Sequence, residues 1–444
     1  MEKVVIIGNG ISGVTATRHI RKNSEKELLI ISAETEHFYS RTALMYVFMG
    51  HMRYQDIKPY EDWFWSKNRI ELMFDYVEHI DTDNKQLDMA SGQQVSYDTL
   101  IVAVGSKSNK FGWPGQELDG VQGLYSWQDL ELLEENVKEA KRAVIVGGGL
   151  IGVELAEMLH TRDVKVTVLV RESEFWGNVL PKEEGMLVTR HLRDDHHVDL
   201  RLETELDEIL DDGNGRVKGV KTKSGEIIDC QIVGLTPGVS PNIDFLKSSN
   251  IEVNRGVLVN HYFETNIPDV YSIGDCAEFK NPVEGRRNLE QVWYTGRMHG
   301  ETVAQTICGN KMTYQPGPWF NSAKFMDIEY QTYGMVLNKP KDNEDEFYWE
   351  HKNGKICLHL RWDKDSDVFT GLNVFGIRLR HELFDKWLRE GAKIEEILSE
   401  LKTANFDPEF YDHYEEEIIE KFNGEKQRNV KIKPKKWWLK LLKS

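Results

Sequence analysis

Two glycine turns, each set directly behind an apolar run and ahead of helix-compatible sequence, limit what this chain can become. The first is VVIIGNGISGVTATRHI at 4–20, with Gly8, Gly10 and Gly13. The run reads as a buried parallel strand. Gly8 allows the tight turn and Gly10 lets backbone approach a pyrophosphate. Gly13 lets the following helix pack closely, with its N-terminus aimed at the phosphates. A second apolar run, LLIIS at 28–32, ends just before Glu34. That is where an acid can accept hydrogen bonds from a ribose. AVIVGGGLIGVELAEML at 143–159 repeats the pattern with Gly147, Gly149 and Gly152, followed by the strand-like VKVTVLV at 164–170. The expected fold is therefore α/β with two Rossmann-like dinucleotide-binding domains. Two such sites in one chain suggest electrons passing between a nicotinamide and a flavin. Arg171 suits a 2′-phosphate and Glu172 a 2′-hydroxyl, which leaves NADH and NADPH both open.

Five stretches follow one another in an order that resembles the pyridine nucleotide–disulfide oxidoreductase superfamily: IIGNGISG (6–13), YDTLIVAVGSKSN (97–109), VIVGGGLIGVELA (144–156), GLTPGVSPNI (234–243) and TNIPDVYSIGDCAE (265–278). The resemblance spans about residues 1–335. It implies an FAD domain at 1–112 and 238–316, an NAD(P)H domain at 113–237, a C-terminal α+β interface domain at 317–424 and a basic tail at 425–444. It also implies that Gly8, Gly10, Ser12, Gly13 and Glu34 hold the FAD adenosine and pyrophosphate, with Val77 touching adenine through its backbone. Gly105 and Gly238 belong to the crossover stretches, and Asp275 takes the flavin ribityl chain. Gly147, Gly149, Ile151 and Gly152, with Arg171 and Glu172, would hold the nicotinamide nucleotide. Glu154 stands where relatives place a glutamate near the nicotinamide or flavin N5, although a first-turn glutamate also suits a helix N-terminus without any such role. Trp293 and Tyr294 fall at a flavin-side position in relatives, with core packing as the alternative. Relatives are often homodimers.

How electrons leave the flavin is decided by what stands at 37–50. Dithiol members carry two cysteines there, and related oxidases carry one. This chain has HFYSRTALMYVFMG and no cysteine. The stretch is similar to the Tyr-x-Arg-x-x-Leu pattern of ferredoxin, rubredoxin and nitrite reductase flavoproteins, which implies that Arg41 approaches FAD phosphate or flavin. Met45-Tyr46 replaces the Ser-Lys of many ferredoxin reductases. The four cysteines, Cys230, Cys276, Cys308 and Cys357, are scattered without metal-binding spacing. His196 and His197 are adjacent and expected to point to opposite sides, so no metal site is expected.

The tail changes the charge balance. The chain carries −17, yet residues 425–444 hold eight basic residues and one acid. An acidic body argues against nucleic acid. Set on a helix after Pro434, Trp437, Trp438, Leu439, Leu441 and Leu442 share a broad apolar face, and Lys436, Lys440 and Lys443 the opposite one. Lys435 falls on the apolar side. Such a segment suits a membrane surface, where tryptophan and lysine both sit well. The start lacks a basic n-region, and no apolar run spans a bilayer, so a cytoplasmic protein is expected, peripheral on the inner membrane face. The leading expectation is an FAD enzyme that oxidises NAD(P)H and reduces quinone or a membrane redox partner. The alternatives are a soluble reductase of a ferredoxin- or rubredoxin-type iron–sulfur protein, and a flavin-binding redox sensor.

Overall fold

The structure is a computed structural model and describes residues 1–406, 409–410 and 412–433. The chain divides into two compact units, one of Met1–Gly147, Leu155–Thr167 and Glu205–Pro316, the other of Gly148–Glu154, Val168–Thr204 and Gly317–Ser444.

In the first unit, the apolar runs become a five-stranded parallel sheet. Its order is Val270–Ser272, Thr99–Val102, Lys3–Ile7, Glu27–Ser32 and Ile70–Phe74. Val4 to Ile7 and Leu28 to Ile31 are buried on both faces, which is why they read as continuous hydrophobic runs and not as alternation. The helix Ile11–Asn23 follows the first strand, and the helix Trp293–Ile307 packs along it. Gly300 makes that approach possible, since a Cβ there would lie 2.5 Å from the Ser12 carbonyl oxygen. A second parallel group joins Arg142–Val146 to Ile232–Leu235 and on to Val121–Gln122. The stretches GSKSN and GVSP pair as an antiparallel ribbon, with Val239 opposite Ser108 and Pro241 opposite Ser106.

The second unit carries a five-stranded antiparallel sheet in the order Phe320–Phe325, Ile328–Gly334, Phe369–Phe375, Cys357–Asp363 and Glu344–Glu350. Side chains alternate across a strand. Leu358, Leu360 and Trp362 enter one apolar core with Phe384, Trp387, Ile397 and Phe422 from the helices His381–Glu390, Ile394–Glu400 and Glu415–Lys426. Cys357, His359 and Arg361 alternate with them along the strand.

The first half of the basic tail does not project from the protein. Val430 is buried in the C-terminal core, Arg428 pairs with Asp367 and Glu395, and Lys433 pairs with Glu400. An acidic surface attracts its own cationic segment. Trp437, Trp438, Leu441, Leu442, Lys435, Lys436, Lys440 and Lys443 lie outside the described residues. Among the described residues, no helix is long and apolar enough to cross a membrane.

Candidate functional site

The first glycine turn is shaped as the fingerprint requires. Gly8 sits at φ 111, and a Cβ there would lie 2.2 Å from the Ala103 carbonyl oxygen, so only glycine fits. Gly13 is equally confined, 2.1 Å from the Gly8 carbonyl oxygen. Gly10 differs, because a Cβ there would meet nothing within 4 Å. It is also the N-cap of the first helix, which has no side-chain cap and no acid in its first turn. The result is an open cradle at a helix N-terminus, the arrangement that binds anionic groups.

Asp275 follows the edge strand Val270–Ser272 at the same end of the sheet as this cradle. It follows Gly274, whose φ of 75 and close approach to Ser12 Oγ exclude any side chain. Ser106 Oγ and Tyr125 Oη each donate to Asp275 Oδ2 over 3.3 Å. Gln291 Nε2 donates to Ser106 Oγ at 2.6 Å, and the Ser106 N–H donates to Tyr125 Oη at 2.9 Å. Burial pushes the Asp275 carboxyl above its ordinary range, against the hydrogen bonds of Ser106 and Tyr125. Gly274 in turn donates its N–H to His299 Nδ1 at 3.1 Å. Burial, with the charge of Arg286, lowers the His299 pKa to about 3, so this imidazole is neutral.

Glu34 and Arg41 are brought together. Arg41 Nη1 donates to Glu34 Oε1 at 2.8 Å, and so does the Trp127 N–H at 2.8 Å. Tyr39 also donates to that carboxylate. Burial raises the Glu34 carboxyl, but the hydrogen bonds and charge of Arg41, joined by Tyr39 and Trp127, leave it below its ordinary range. The Arg41 guanidinium stacks 4.4 Å from the centre of the Tyr125 ring. One cluster thus links the acid at the end of the second strand, through Arg41 and Tyr125, to Asp275. Gly105, at φ 65, faces the Tyr125 hydroxyl. Gly238 pairs with Asn109 across the ribbon, and Trp293 opens the helix whose Gly296 touches Ser12. Val77 starts a strand and is buried in the apolar cluster that includes Ile31 and Leu100.

Sequence reasoning missed Ser106, Tyr125 and Gln291. A local signal was present for Tyr125. It directly precedes Ser126-x-x-Asp129, a reciprocal capping box that starts the helix Trp127–Asn136.

The second fingerprint repeats the first in miniature. Gly147, at φ 128, comes within 2.5 Å of the Thr236 carbonyl oxygen when a Cβ is added. In the other unit, Gly149 is open except for the Trp176 indole at 3.7 Å. Ile151, Gly152 and Glu154 lie on the helix Leu150–His160. Arg171 Nε donates to the neighbouring Glu172 Oε1 at 2.8 Å.

Residues 2–300 match the family described as pyridine nucleotide-disulphide oxidoreductase. The chain belongs to this family. FAD and NAD(P)H are its cofactors, and the open Gly10 cradle with the half-buried Asp275 carboxyl fits the first of them. The chain is 29% identical over 396 residues to the assimilatory nitrate reductase electron transfer subunit of Bacillus subtilis, covering 88% of this chain and 49% of that protein. It is 31% identical over 344 residues to the 5,5'-dehydrodivanillate O-demethylase ferredoxin reductase subunit of Sphingobium, covering 75% of this chain and 81% of that one. The chain spans half or less of the length of the first curated relatives it matches. A solved ferredoxin reductase from Rhodopseudomonas palustris superposes with a TM-score of 0.76 at 21% identity, over 85% of this chain and 91% of that one. This likeness is one of fold, α/β with two dinucleotide-binding domains and a C-terminal α+β domain.

Proposed function

We propose that this family member is an NAD(P)H-dependent flavoprotein reductase that hands electrons to an iron–sulfur redox protein. One observation carries the reading. The flavin-side segment at 37–50 supplies an Arg41–Glu34 pair and no thiol, while Cys230, Cys276 and Cys357 are buried, Cys308 is half-buried, and all four are unpaired. Burial raises the pKa of each of these thiols. No dithiol relay can form from them, so electrons leave for an external acceptor directly. The relatives that act as an electron transfer subunit and as a ferredoxin reductase subunit support that acceptor class.

FAD, when bound, supplies the chemistry of taking a hydride pair and releasing electrons. The chain's part is placement and field. Gly8, Gly10, Ser12 and Gly13 would admit the pyrophosphate, Glu34 the adenosine ribose and Asp275 the ribityl chain, with Gly105, Gly238 and Val77 shaping the walls. Arg41 would keep positive charge beside the phosphates. Trp293 would flank the flavin. Gly147, Gly149, Ile151, Gly152, Arg171 and Glu172 would hold the nicotinamide nucleotide, and Glu154 would orient its ring. Hydride transfer needs rings held about 3–3.5 Å apart and no dedicated acid or base. In this reading the FAD domain is 1–112 with 238–316, the NAD(P)H domain 113–237, and the acceptor docks at 317–424.

The quinone reading has less behind it. Its apolar tail lies outside the described residues, and the relatives reported above are not named for quinone. Anaerobic stopped-flow reduction by NADH and by NADPH, followed by mixing with a ferredoxin, a rubredoxin or a soluble quinone analogue, separates the readings. Rapid flavin bleaching and reoxidation by an iron–sulfur protein is expected. Reoxidation by quinone alone would replace this reading with the membrane one. No bleaching by either nucleotide would leave the sensor.

A further inference from the structure

In the second unit, the helix Lys182–Arg190 widens at its end into a π-turn, His191–Asp195. The His196 N–H donates to the His191 carbonyl oxygen at 3.3 Å, five residues back. An ordinary α-helix would set residues five apart about 140° around the axis. The widened turn instead brings the two rings face to edge, with centroids 4.6 Å apart and Nε2 atoms 3.1 Å apart. His197, the expected neighbour, plays no part.

A third group comes from the tight turn between Phe320–Phe325 and Ile328–Gly334, where Met326 takes φ 55. Asp327 Oδ1 lies 2.7 Å from His191 Nε2 and 2.8 Å from His196 Nε2. Behind His191, Nδ1 is 2.7 Å from Asp195 Oδ2, and Lys355 Nζ is 3.1 Å from the same oxygen. Asp195 can hold a hydrogen of His191 on Nδ1, and Nε2 is the ring nitrogen left to face Asp327 and His196. Two imidazole nitrogens and a carboxylate oxygen thus lie within 2.7–3.1 Å of one another, and a cation there would take the place of the hydrogens that join them in its absence.

We propose that His191, His196 and Asp327 bind a divalent transition-metal cation of the zinc type, with Asp195 as the positioning residue behind His191. The ligand chemistry is right, since borderline cations take imidazole and carboxylate together. So is the carboxylate on the distal ring nitrogen, the usual support of a ligating histidine. The spacing is close to that required. Ligands each about 2.0–2.1 Å from a tetrahedral zinc stand about 3.3–3.4 Å apart, against 2.7–3.1 Å here, so the three groups would spread by about half an ångström to admit it. Asp327 is exposed and His196 half-buried, which leaves an entry path and room for solvent as a further ligand. The cation would tie the π-turn to the strand hairpin.

The test is calorimetric titration of the chelator-treated, flavin-loaded protein with Zn²⁺, repeated with Co²⁺ by visible absorption. One equivalent should bind saturably, with cobalt bands of a four- or five-coordinate site. Asp327→Asn and His196→Ala, both at partly exposed positions, should weaken Zn²⁺ by at least about tenfold. Asp195→Asn should weaken it by roughly 10–100-fold, with circular dichroism unchanged. Absence of saturable Zn²⁺ binding, or saturable binding untouched by both Asp327→Asn and His196→Ala, overturns the proposal.

Discussion

In the first unit, burial pushes Asp275 up and His299 down, both towards their neutral forms. In the second, His359 and Glu346 are held in their charged forms. His359 Nδ1 lies 3.0 Å from Glu184 and its Nε2 3.1 Å from Glu346, which also accepts from Arg361 Nη2 at 2.9 Å. Burial alone would lower His359, but those two carboxylates raise it to about 9. Glu346 is lowered to about 2, chiefly by its hydrogen bond from His359. Contact lengths differ in the same sense. The hydroxyl contacts on Asp275 are 3.3 Å, long for an O–H donor, whereas Asn373 Nδ2 donates to Glu184 at 2.8 Å. The charges of the His359 cluster answer one another within their own unit. The Asp275 carboxyl, pushed towards its neutral form and held by long hydroxyl contacts beside an open glycine cradle, has capacity left for a ligand.

The largest effect should come from closing that cradle. Gly8→Ala places a Cβ against the Ala103 carbonyl at a backbone angle alanine avoids. We expect a loss on the order of 4–5 kcal/mol in unfolding free energy and purification without flavin. Gly10→Ala is the control. Its Cβ meets no protein atom, so stability should change little while bound flavin, measured by absorbance per chain, falls. Equal stability losses in both variants would show that the two glycines are merely structural.

Next comes the charged cluster. His359→Leu leaves Glu184 and Glu346 without their shared cation, and breaking a buried pair costs about 3–5 kcal/mol. Denaturant unfolding should register that loss. The flavin content of the folded fraction should stay constant, because no flavin-side residue is touched. Loss of flavin in parallel would dissolve the contrast between the clusters.

The contrast also marks what a sequence can carry. Each glycine turn was legible because strand, turn and helix are contiguous and Gly8, Gly13 and Gly147 answer local steric demands. The strand CLHLRWD is legible in its apolar alternation at Leu358, Leu360 and Trp362. Its charged positions were not, since Glu184 stands on a helix far back in the chain. Asp275 was found through a family motif, yet Ser106, Tyr125 and Gln291 reach it from three separate segments and share no local pattern with it. Arg41 and Glu34 were each read as facing a cofactor, and the structure pairs them with each other. The His191–His196 pairing was illegible for a different reason. It depends on a π-turn, and the adjacent His196 and His197 drew the reading away from a partner five residues back.

Titration sharpens the comparison with opposite signs, each worth a few kcal/mol. Folded His299 titrates near 3 and an unfolded histidine near 6.5. Between those values the unfolded chain binds the extra proton, so stability falls as pH drops through this window. The expected loss is roughly 2 kcal/mol from pH 6.5 to 5. His359 works the other way. The folded chain holds a proton that the unfolded chain releases between 6.5 and about 9, so its contribution is complete below 6.5 and disappears as pH rises through 9. Unfolding curves of His299→Gln should lose the acid slope, and those of His359→Leu the alkaline slope. A variant that flattens the wrong limb would reverse the charge assignment.

The smallest change in stability should attend the residue closest to the ligand. Asp275→Asn keeps shape and one acceptor oxygen for Ser106 and Tyr125 while removing a carboxyl that burial already pushes towards its neutral form. The folded chain should lose no more than about 1 kcal/mol, the net worth of one neutral hydrogen bond. Flavin is a separate matter. If the carboxylate accepts from the ribityl chain, a charge-assisted bond of about 1.5–3 kcal/mol is lost, or roughly 10–100-fold in affinity. Equilibrium dialysis of FAD against the two proteins measures the second quantity and denaturant unfolding of the flavin-free chains the first. A large stability loss with unchanged FAD affinity would make Asp275 a structural group like Glu184, and the flavin cluster a second finished core. The opposite pattern would tie the looseness of this cluster to the ligand it receives.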